Sequence, residues 1–324
     1  RHFYLFLFFT LLTALVVQLI ALYQLSQTPY FDFLLWDERI YHEWAKQIAS
    51  GRYNPRAAYE FPPLPAYLTA LIYWLFSPDS VYIRILNISF GLVACFFIAL
   101  TGKEIGGRCT GLIAGLIAAL YAPFILYSIV PLKTALSVTL CAVVLYLLVI
   151  ELQHPTLSKA FLLGAFIGLA FNVRGNYAVF IALGFAAVIY STWKVEAIGR
   201  RSIVPIVSFV LGLSLAVAPF AIRNYKLTDE LVLSTTQSGF NFYIGNNVIN
   251  KDPYYRPLPF ASNSPLKQGP QFTIEASRRA GRDLTAGEAS SYWYKEAVNE
   301  ALNEPTAYSA KFLRKLLALF NRFE

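Results

Sequence analysis

The sequence predicts an all-α polytopic membrane protein, and composition is the first reason. Of the 324 residues, 56% are hydrophobic and 14% are charged, whereas soluble domains carry about 25% charged residues. Long apolar runs recur along the chain, several near the ~20 residues that a spanning helix needs. Basic loops on one side of a bilayer explain the net charge of +8 better than a nucleic-acid partner, for which the sequence has no motif.

Seven apolar runs are predicted to span the membrane. Six are clear: residues 4–22, 81–100, 111–127, 135–150, 177–193 and 203–221. The seventh, at 158–173, is weaker because its apolar stretch is short. We interpret the first run as a retained span rather than a signal peptide, because it is long and lacks an obvious small-residue cleavage site.

A shorter apolar run at 64–76 decides the predicted topology, because a run of this length is more often interfacial or buried than spanning. If it does not cross, the basic residues of the short loops fall on one side, which is then cytoplasmic. These residues are Arg1, Lys103, Arg108, Lys159, Lys194, Arg200 and Arg201. The N-terminus is then cytoplasmic, whereas the first loop, Lys133, Arg174 and the segment from Ile222 lie outside.

We divide the chain into a transmembrane core at 1–221, an extracytoplasmic segment at 222–310 and the start of a further interfacial or membrane helix at 311–324. The second part has no candidate span, but its residues 286–302 show helical periodicity. The last part is basic and amphipathic, as is typical of a membrane interface. Because methionine is absent even at position 1, we expect the chain to be part of a longer protein.

The first outer loop, residues 24–80, contains the most informative stretch of the core. Asp37 and Glu38 stand at the start of a predicted amphipathic helix, which Gly51 ends. The apolar stripe of this helix is Ile40, Tyr41, Trp44, Ala45 and Ile48. Asp37 is a candidate helix cap, which would accept backbone N–H bonds, and a candidate base; the two roles are compatible.

Lys133 and Arg174 interrupt apolar sequence at the outer ends of two spans. Either residue alone fits an anchor that snorkels to the lipid headgroups. Two such cations on the side with few basic residues instead indicate an anionic ligand, and the paired donors of arginine suit phosphate. Glu60 precedes two prolines in the same loop and is either a second acid of the site or a solvated residue.

These features favour transfer of a group that is linked to a lipid phosphate. The carboxylate would take the proton of an acceptor hydroxyl or amine. The two cations would stabilise the departing phosphate. Spanning helices leave room for a lipid tail beside this site.

Several short pieces follow one another in a specific order along nearly all of the chain. They are Asp37-Glu38 with Tyr41 and Ala45, Pro62-Pro63-Leu64, Arg84 with Asn87 and Gly91, the turn at 102–111, Arg174, Arg223-Asn224-Tyr225 and Ile244-Gly245-Asn246-Asn247. In this order they resemble the bacterial membrane glycosyltransferases of the GT-C class, which are related to protein O-mannosyltransferases and to lipid A aminoarabinose transferases. The aminoarabinose transferases have a lysine before the paired prolines, where this chain has Phe61.

The resemblance implies a GT-C-like helical core and transfer from a polyprenyl-phosphate sugar with inversion at the anomeric carbon. In that class the acid of the first outer loop is the catalytic base, which implies Asp37. We expect Glu38, Glu60, Lys133 and Arg174 to bind substrate. The donor is a substrate rather than a cofactor, and the acidic residues lack a metal-ligand spacing that would require a metal.

The acceptor class stays open between a protein, a lipid and a glycan. We expect a multi-pass protein of the bacterial inner membrane, in contact with membrane lipid. A non-catalytic GT-C-fold scaffold subunit of a larger membrane complex is an alternative. A transporter is disfavoured, because the spans carry few charges and show no inverted repeat.

Overall fold

Residues 2–194 and 203–320 are the part of the chain that a computed structural model describes. They are mainly helical and contain no strand. The chain forms two units: Arg1–Asn54 with Pro62–Phe220, and Pro55–Phe61 with Ala221–Glu324. The first unit contains α1 (His2–Ser26), α2 (Trp36–Ala49), α3 (Pro63–Leu75), α4 (Ser80–Leu120), α5 (Ala122–Ile129), α6 (Thr134–Gln153), α7 (Leu157–Phe171), α8 (Ala178–Lys194) and most of α9 (Val204–Thr228).

Five of the described helices are long and apolar enough to cross a membrane. They are α1, α4, α6, α8 with the short turn before it, and α9. The predicted all-α polytopic fold is therefore confirmed. Of the basic residues that set the predicted topology, Arg1, Arg200 and Arg201 lie outside the described residues.

Helix α4 is a hairpin with two arms, residues 80–106 and 108–120. Its backbone breaks at Gly107, where φ is +85°, a conformation that favours glycine. A Cβ atom on Gly111 would lie 2.5 Å from the carbonyl oxygen of Ala99, so the arms pack backbone against backbone. The apolar runs predicted at 81–100 and 111–127 are helical, and the second run is divided between the second arm and α5.

Helix α3 contacts both the segment after α7 and helix α2. Its Leu64 N–H donates to the carbonyl of Asn172 at 3.4 Å, after the end of α7. Near its other end, the Tyr73 hydroxyl lies 2.6 Å from His42 Nδ1 on α2. Its 13 residues extend only about 20 Å, less than the ~30 Å of a bilayer core.

The core of the first unit lies among α6, α7, α8 and α9. Its fully buried members include Val144, Leu163, Ile167, Val188 and Phe209. A Cβ atom on Gly164 of α7 would collide with the carbonyl of Phe209, and one on Gly212 of α9 would collide with that of Phe161. Small residues at both positions thus let α7 and α9 approach closely, as membrane helices commonly do.

The second unit contains α10 (Gln237–Asn246), α11 (Pro265–Ala280), α12 (Ala286–Asn303) and α13 (Pro305–Ala318). Its core is aromatic: Trp293 is fully buried and lies against the rings of Tyr243, Phe260 and Phe272. The helix predicted at 286–302 is confirmed. Helix α13 contains the basic amphipathic stretch.

Candidate active site

Helix α2 presents Asp37 in its first turn. The residue before the helix is Leu35, and its backbone N–H donates to Glu38 Oε2 at 3.1 Å. The interpretation of Asp37 as the cap is therefore wrong, because Glu38 makes the capping bond. Trp36, just before Asp37, has a φ of +40°, a strained value for a bulky residue.

The apolar stripe of α2 is centred differently from the prediction. Tyr41 and Ala45 are its buried residues, while Ile40, Trp44 and Ile48 are only partly buried. This rotation keeps Tyr41 on the same face as Asp37, since residues four apart are neighbours on a helix. Gly51 follows the helix with a φ of +69°, and its predicted role as the stop is confirmed.

Asp37 and Lys133 form an ion pair, although 95 positions separate them in the chain. Lys133 Nζ lies 3.6 Å from Asp37 Oδ2, with 14% of the lysine side chain and 35% of the aspartate side chain exposed. Lys133 also donates to the Tyr41 hydroxyl at 3.3 Å and lies 5.2 Å from the centre of its ring. The lysine is therefore held between a carboxylate and a phenol.

Arg174 reaches the same place from the turn after α7. Its Nη2 donates to Thr134 Oγ1 at 3.2 Å, and Thr134 directly follows Lys133. Its Nε is buried and has no hydrogen-bond partner among the described residues. A buried donor without a partner costs about 1–3 kcal/mol, which an anionic ligand would offset.

The electrostatics of the site reflect burial and a surplus of positive charge. Burial lowers the pKa of Lys133; Asp37 opposes that shift, and the positive charge of Arg174 adds to it. Burial raises the pKa of Tyr41 well above its usual value, with a further rise from Asp37 and an opposing effect from Arg174. Lys133 thus lies within the electrostatic influence of both a carboxylate and a second cation, beside the Tyr41 phenol.

A narrow, mainly apolar cleft begins at Lys133 and Tyr41. It runs between α3, α4 and α6, which places aliphatic surface directly beside the charged groups. Its other lining residues are Pro65, Leu68, Thr69, Ile83, Leu86, Asn87, Phe90, Pro131, Leu132 and Leu136.

Glu60 lies in the second unit, against Gly269 in the first turns of α11. Burial raises the pKa of its carboxyl, and the backbone N–H of Gly269 opposes that rise. The structure therefore brings Asp37, Lys133 and Arg174 together, with Glu38 beside Asp37. Glu60 belongs to the second unit and is not part of this group in the first unit.

Two neighbours of the cations were not identified as site residues from the sequence. In the sequence prediction Tyr41 belongs to an apolar stripe and to the family resemblance but is not a site residue, although its position four residues after Asp37 is a usable signal. The only feature of the sequence that could indicate Thr134 as a site residue is that it follows Lys133. Residues 2–194 and 203–320 contain no group of three or more His, Cys, Asp or Glu side chains that could hold a metal ion.

The family model for dolichyl-phosphate-mannose-protein mannosyltransferases matches residues 60–222, half of the chain. Together with the helical fold, this match defines a membrane glycosyltransferase of the GT-C class. The chain belongs to the dolichyl-phosphate-mannose-protein mannosyltransferase family. The matched range includes Lys133 and Arg174 and begins after Asp37 and Glu38. No curated protein sequence matches the chain.

Proposed function

We propose that this glycosyltransferase moves a sugar from a polyprenyl phosphate to a hydroxyl or amine of a protein, lipid or glycan acceptor. The observation that carries the proposal is the contact of Asp37 with Lys133 at 3.6 Å, with Arg174 bound to the next residue, Thr134. A carboxylate base and a cationic phosphate site lie side by side in this arrangement.

In the proposed reaction, the Asp37 carboxylate accepts the proton of the acceptor nucleophile. The nucleophile attacks the anomeric carbon on the face opposite the phosphate, so that the configuration inverts. The bond between that carbon and the phosphate oxygen breaks, and the electron pair leaves with the lipid phosphate. Lys133 and Arg174 stabilise the charge that develops on this leaving group.

The side chains beside Lys133 support a lipid-linked donor over a soluble nucleotide sugar. The cleft itself encloses only about 20 Å³, so the support comes from the aliphatic residues that adjoin the ammonium group, which a phosphate with an apolar tail would contact. Glu38 is expected to assist in positioning substrate next to the base. Glu60, in the second unit, is expected to contact substrate there, where the segment after Ile222 would shape the acceptor site.

We also propose that the site faces away from the cytoplasm, across the bacterial inner membrane. Lys103 and Lys159 lie near Glu104 and His154, at the other ends of the helices that carry the site. Because basic residues in short loops mark the cytoplasmic side, the N-terminus would be cytoplasmic.

Substitution of Asp37 by asparagine tests the proposal directly. Removal of a general base typically costs 10²–10⁴-fold in rate, so transfer from a lipid-linked sugar should fall by about that factor. Asp79→Asn is the matched control: Asp79 lies in the same loop and its Oδ1 accepts the Val81 N–H at 2.8 Å, a cap that asparagine preserves.

Undiminished transfer by the Asp37→Asn protein would remove Asp37 from the mechanism. A wild-type protein that transfers no sugar from any polyprenyl-phosphate donor, and that co-purifies with stoichiometric membrane partners, would instead support the non-catalytic scaffold.

A further inference from the structure

Arg84 is buried in the first arm of α4 and connects two distant segments. Only 1% of the residue is exposed. Its Nη1 donates to the carbonyl of Ile129 at 2.7 Å and its Nη2 donates to the carbonyl of Phe31 at 2.8 Å. The guanidinium group also lies 4.7 Å from the centre of the Phe31 ring. One side chain therefore bridges the end of α5 and the turn before α2.

Asn87 lies one helical turn further along the same arm and is 3% exposed. Its Nδ2 donates to the carbonyls of Val130 and Leu132, at 2.7 and 3.1 Å. Arg84 and Asn87 together supply donors to three carbonyls of the 129–132 turn. Irregular backbone buried within a membrane protein needs such donors, because lipid provides none.

The bridged segments are the ones that carry the two sides of the site. The 129–132 turn ends immediately before Lys133, and Phe31 begins the stretch that leads to Asp37. The Lys133–Asp37 contact depends on the spacing between these segments, since both residues lie at the ends of helices rather than within one. If Arg84 served only to satisfy buried carbonyls, its bonds could all go to one segment. Instead it bonds to Ile129 in one segment and to Phe31 in the other.

We propose that Arg84 and Asn87 are positioning residues of the transferase site, which fix the Lys133 ammonium group against Asp37 by holding both segments to α4. This inference rests on the proposed function. Neither residue is expected to touch the transferred sugar. A displacement of about 1 Å in a catalytic group can cost about 10²-fold in rate, so loss of either bridge should be visible in turnover.

The first experiment compares Asn87→Ala, Asn87→Asp and Ser89→Ala in sugar transfer. Asn87→Ala should lower kcat about 10²-fold, and Asn87→Asp at least as much, because a carboxylate repels the two carbonyls. Ser89→Ala is the matched control: Ser89 is exposed on the same arm and bonds only to Ile85 of its own helix. Equal kcat values in all three proteins would overturn the proposal.

A second measurement does not depend on catalysis. The pH dependence of acylation of Lys133, followed by mass spectrometry of the folded protein, reports the environment of its amine. Release of the turn should expose Lys133 to water and move its acylation to higher pH in the Asn87 variants, but not in Ser89→Ala. An unchanged acylation profile in Asn87→Ala would contradict the positioning role.

Arg84→Ala adds a rescue test, because it leaves a space that a small cation can fill. Added guanidinium should restore a part of the lost transfer in Arg84→Ala and none in Asn87→Ala. The Arg84→Lys protein should have a lower transfer rate than the wild type, because one ammonium group cannot reach both carbonyls. Absence of any guanidinium effect, together with a wild-type acylation profile in Arg84→Ala, would overturn its part of the proposal.

The two proposals fail in different ways. Loss of transfer in Asp37→Asn with wild-type behaviour in the Arg84 and Asn87 variants would remove the positioning role and keep the function. A shifted acylation profile in Asn87→Ala, with full transfer by Asp37→Asn, would remove the proposed function and keep the positioning of Lys133.

Discussion

The two ends of the first unit carry charges in different ways. We call the group of Asp37, Lys133 and Arg174 the site end, and the group of Lys103, Glu104 and Gln153 the hairpin end. At the hairpin end, Lys103 Nζ lies 3.1 Å from Glu104 Oε1 of the next residue. Gln153 Nε2 donates to the Glu104 carbonyl at 3.1 Å. The lysine and the glutamate at this end neutralise each other within two consecutive residues.

The charges at the site end come from three distant segments and do not cancel. Lys133 pairs with Asp37, Arg174 donates to Thr134, and Glu38 accepts from the backbone of Leu35. A partly exposed pair of adjacent residues, such as Lys103 and Glu104, contributes little, since surface ion pairs are typically worth about 0–1 kcal/mol. A surplus cation in a largely buried position instead favours an anion. The comparison teaches that the meeting of charges from distant segments around a largely buried lysine, rather than the presence of an ion pair, distinguishes the site.

The largest expected difference between the two ends is in kcat/KM when one lysine at each end is neutralised. Lys133→Gln should lower kcat/KM for the lipid-linked donor about 10²–10³-fold, as loss of a preorganised transition-state contact does. Lys103→Gln should change it less than about twofold, because Lys103 pairs only with the adjacent Glu104 and such pairs contribute little. Steady-state transfer assays on both purified proteins provide the measurement. Similar losses at both ends would break the distinction between them.

The hairpin end should respond in stability rather than in turnover. Gly111→Val places a side chain against the Ala99 carbonyl and the Lys103 backbone, and such overpacking typically costs about 1–3 kcal/mol. The melting temperature should fall, while transfer per folded molecule stays at the wild-type value. Cys109→Val, at an exposed position of the same arm, is the control and should leave both unchanged. A loss of turnover without a loss of stability would couple this end to the chemistry.

Within the site end, Arg174→Lys should have a smaller effect than Lys133→Gln. The charge remains, but the fork that binds Thr134 and offers a buried Nε is lost. Because the paired donors of arginine match phosphate and a lysine does not, we expect about a tenfold fall in kcat/KM for the donor. An unchanged kcat/KM would show that Arg174 serves as an anchor and does not bind the donor.

The sequence predicted much of this fold, because spanning length and the Gly102–Gly111 turn are local signals. It also identified Asp37, Lys133 and Arg174 one at a time, since each is a charge in an apolar setting. It did not predict that Glu38 would make the capping bond, because the helix begins at Trp36 rather than after Asp37. Nor did it predict the bridges of Arg84 and Asn87, because their acceptors are backbone carbonyls, which carry no sequence signal.

The pH dependence of donor binding gives the smallest expected effect, a shift in the pH at which affinity for the donor falls. Burial lowers the pKa of Lys133, with an opposing effect from Asp37 and a further lowering from Arg174. The charged amine is the form that binds phosphate, so affinity for a polyprenyl phosphate should fall as pH rises through a value below the usual lysine pKa of about 10.4.

Two variants fix the sign of this effect. Asp37→Asn removes the charge that favours the ammonium form, so the fall in affinity should move to lower pH. Lys133→Arg keeps its charge at all accessible pH values, so the fall should disappear from the alkaline range, whereas Lys103→Arg should bind like the wild type. Binding titrations from pH 7 to 10 measure all three proteins without any need for turnover. If the Lys133→Arg protein shows the same alkaline fall in affinity, another group is titrating in that pH range. The positive charge that binds the donor at the site end would then not reside on Lys133.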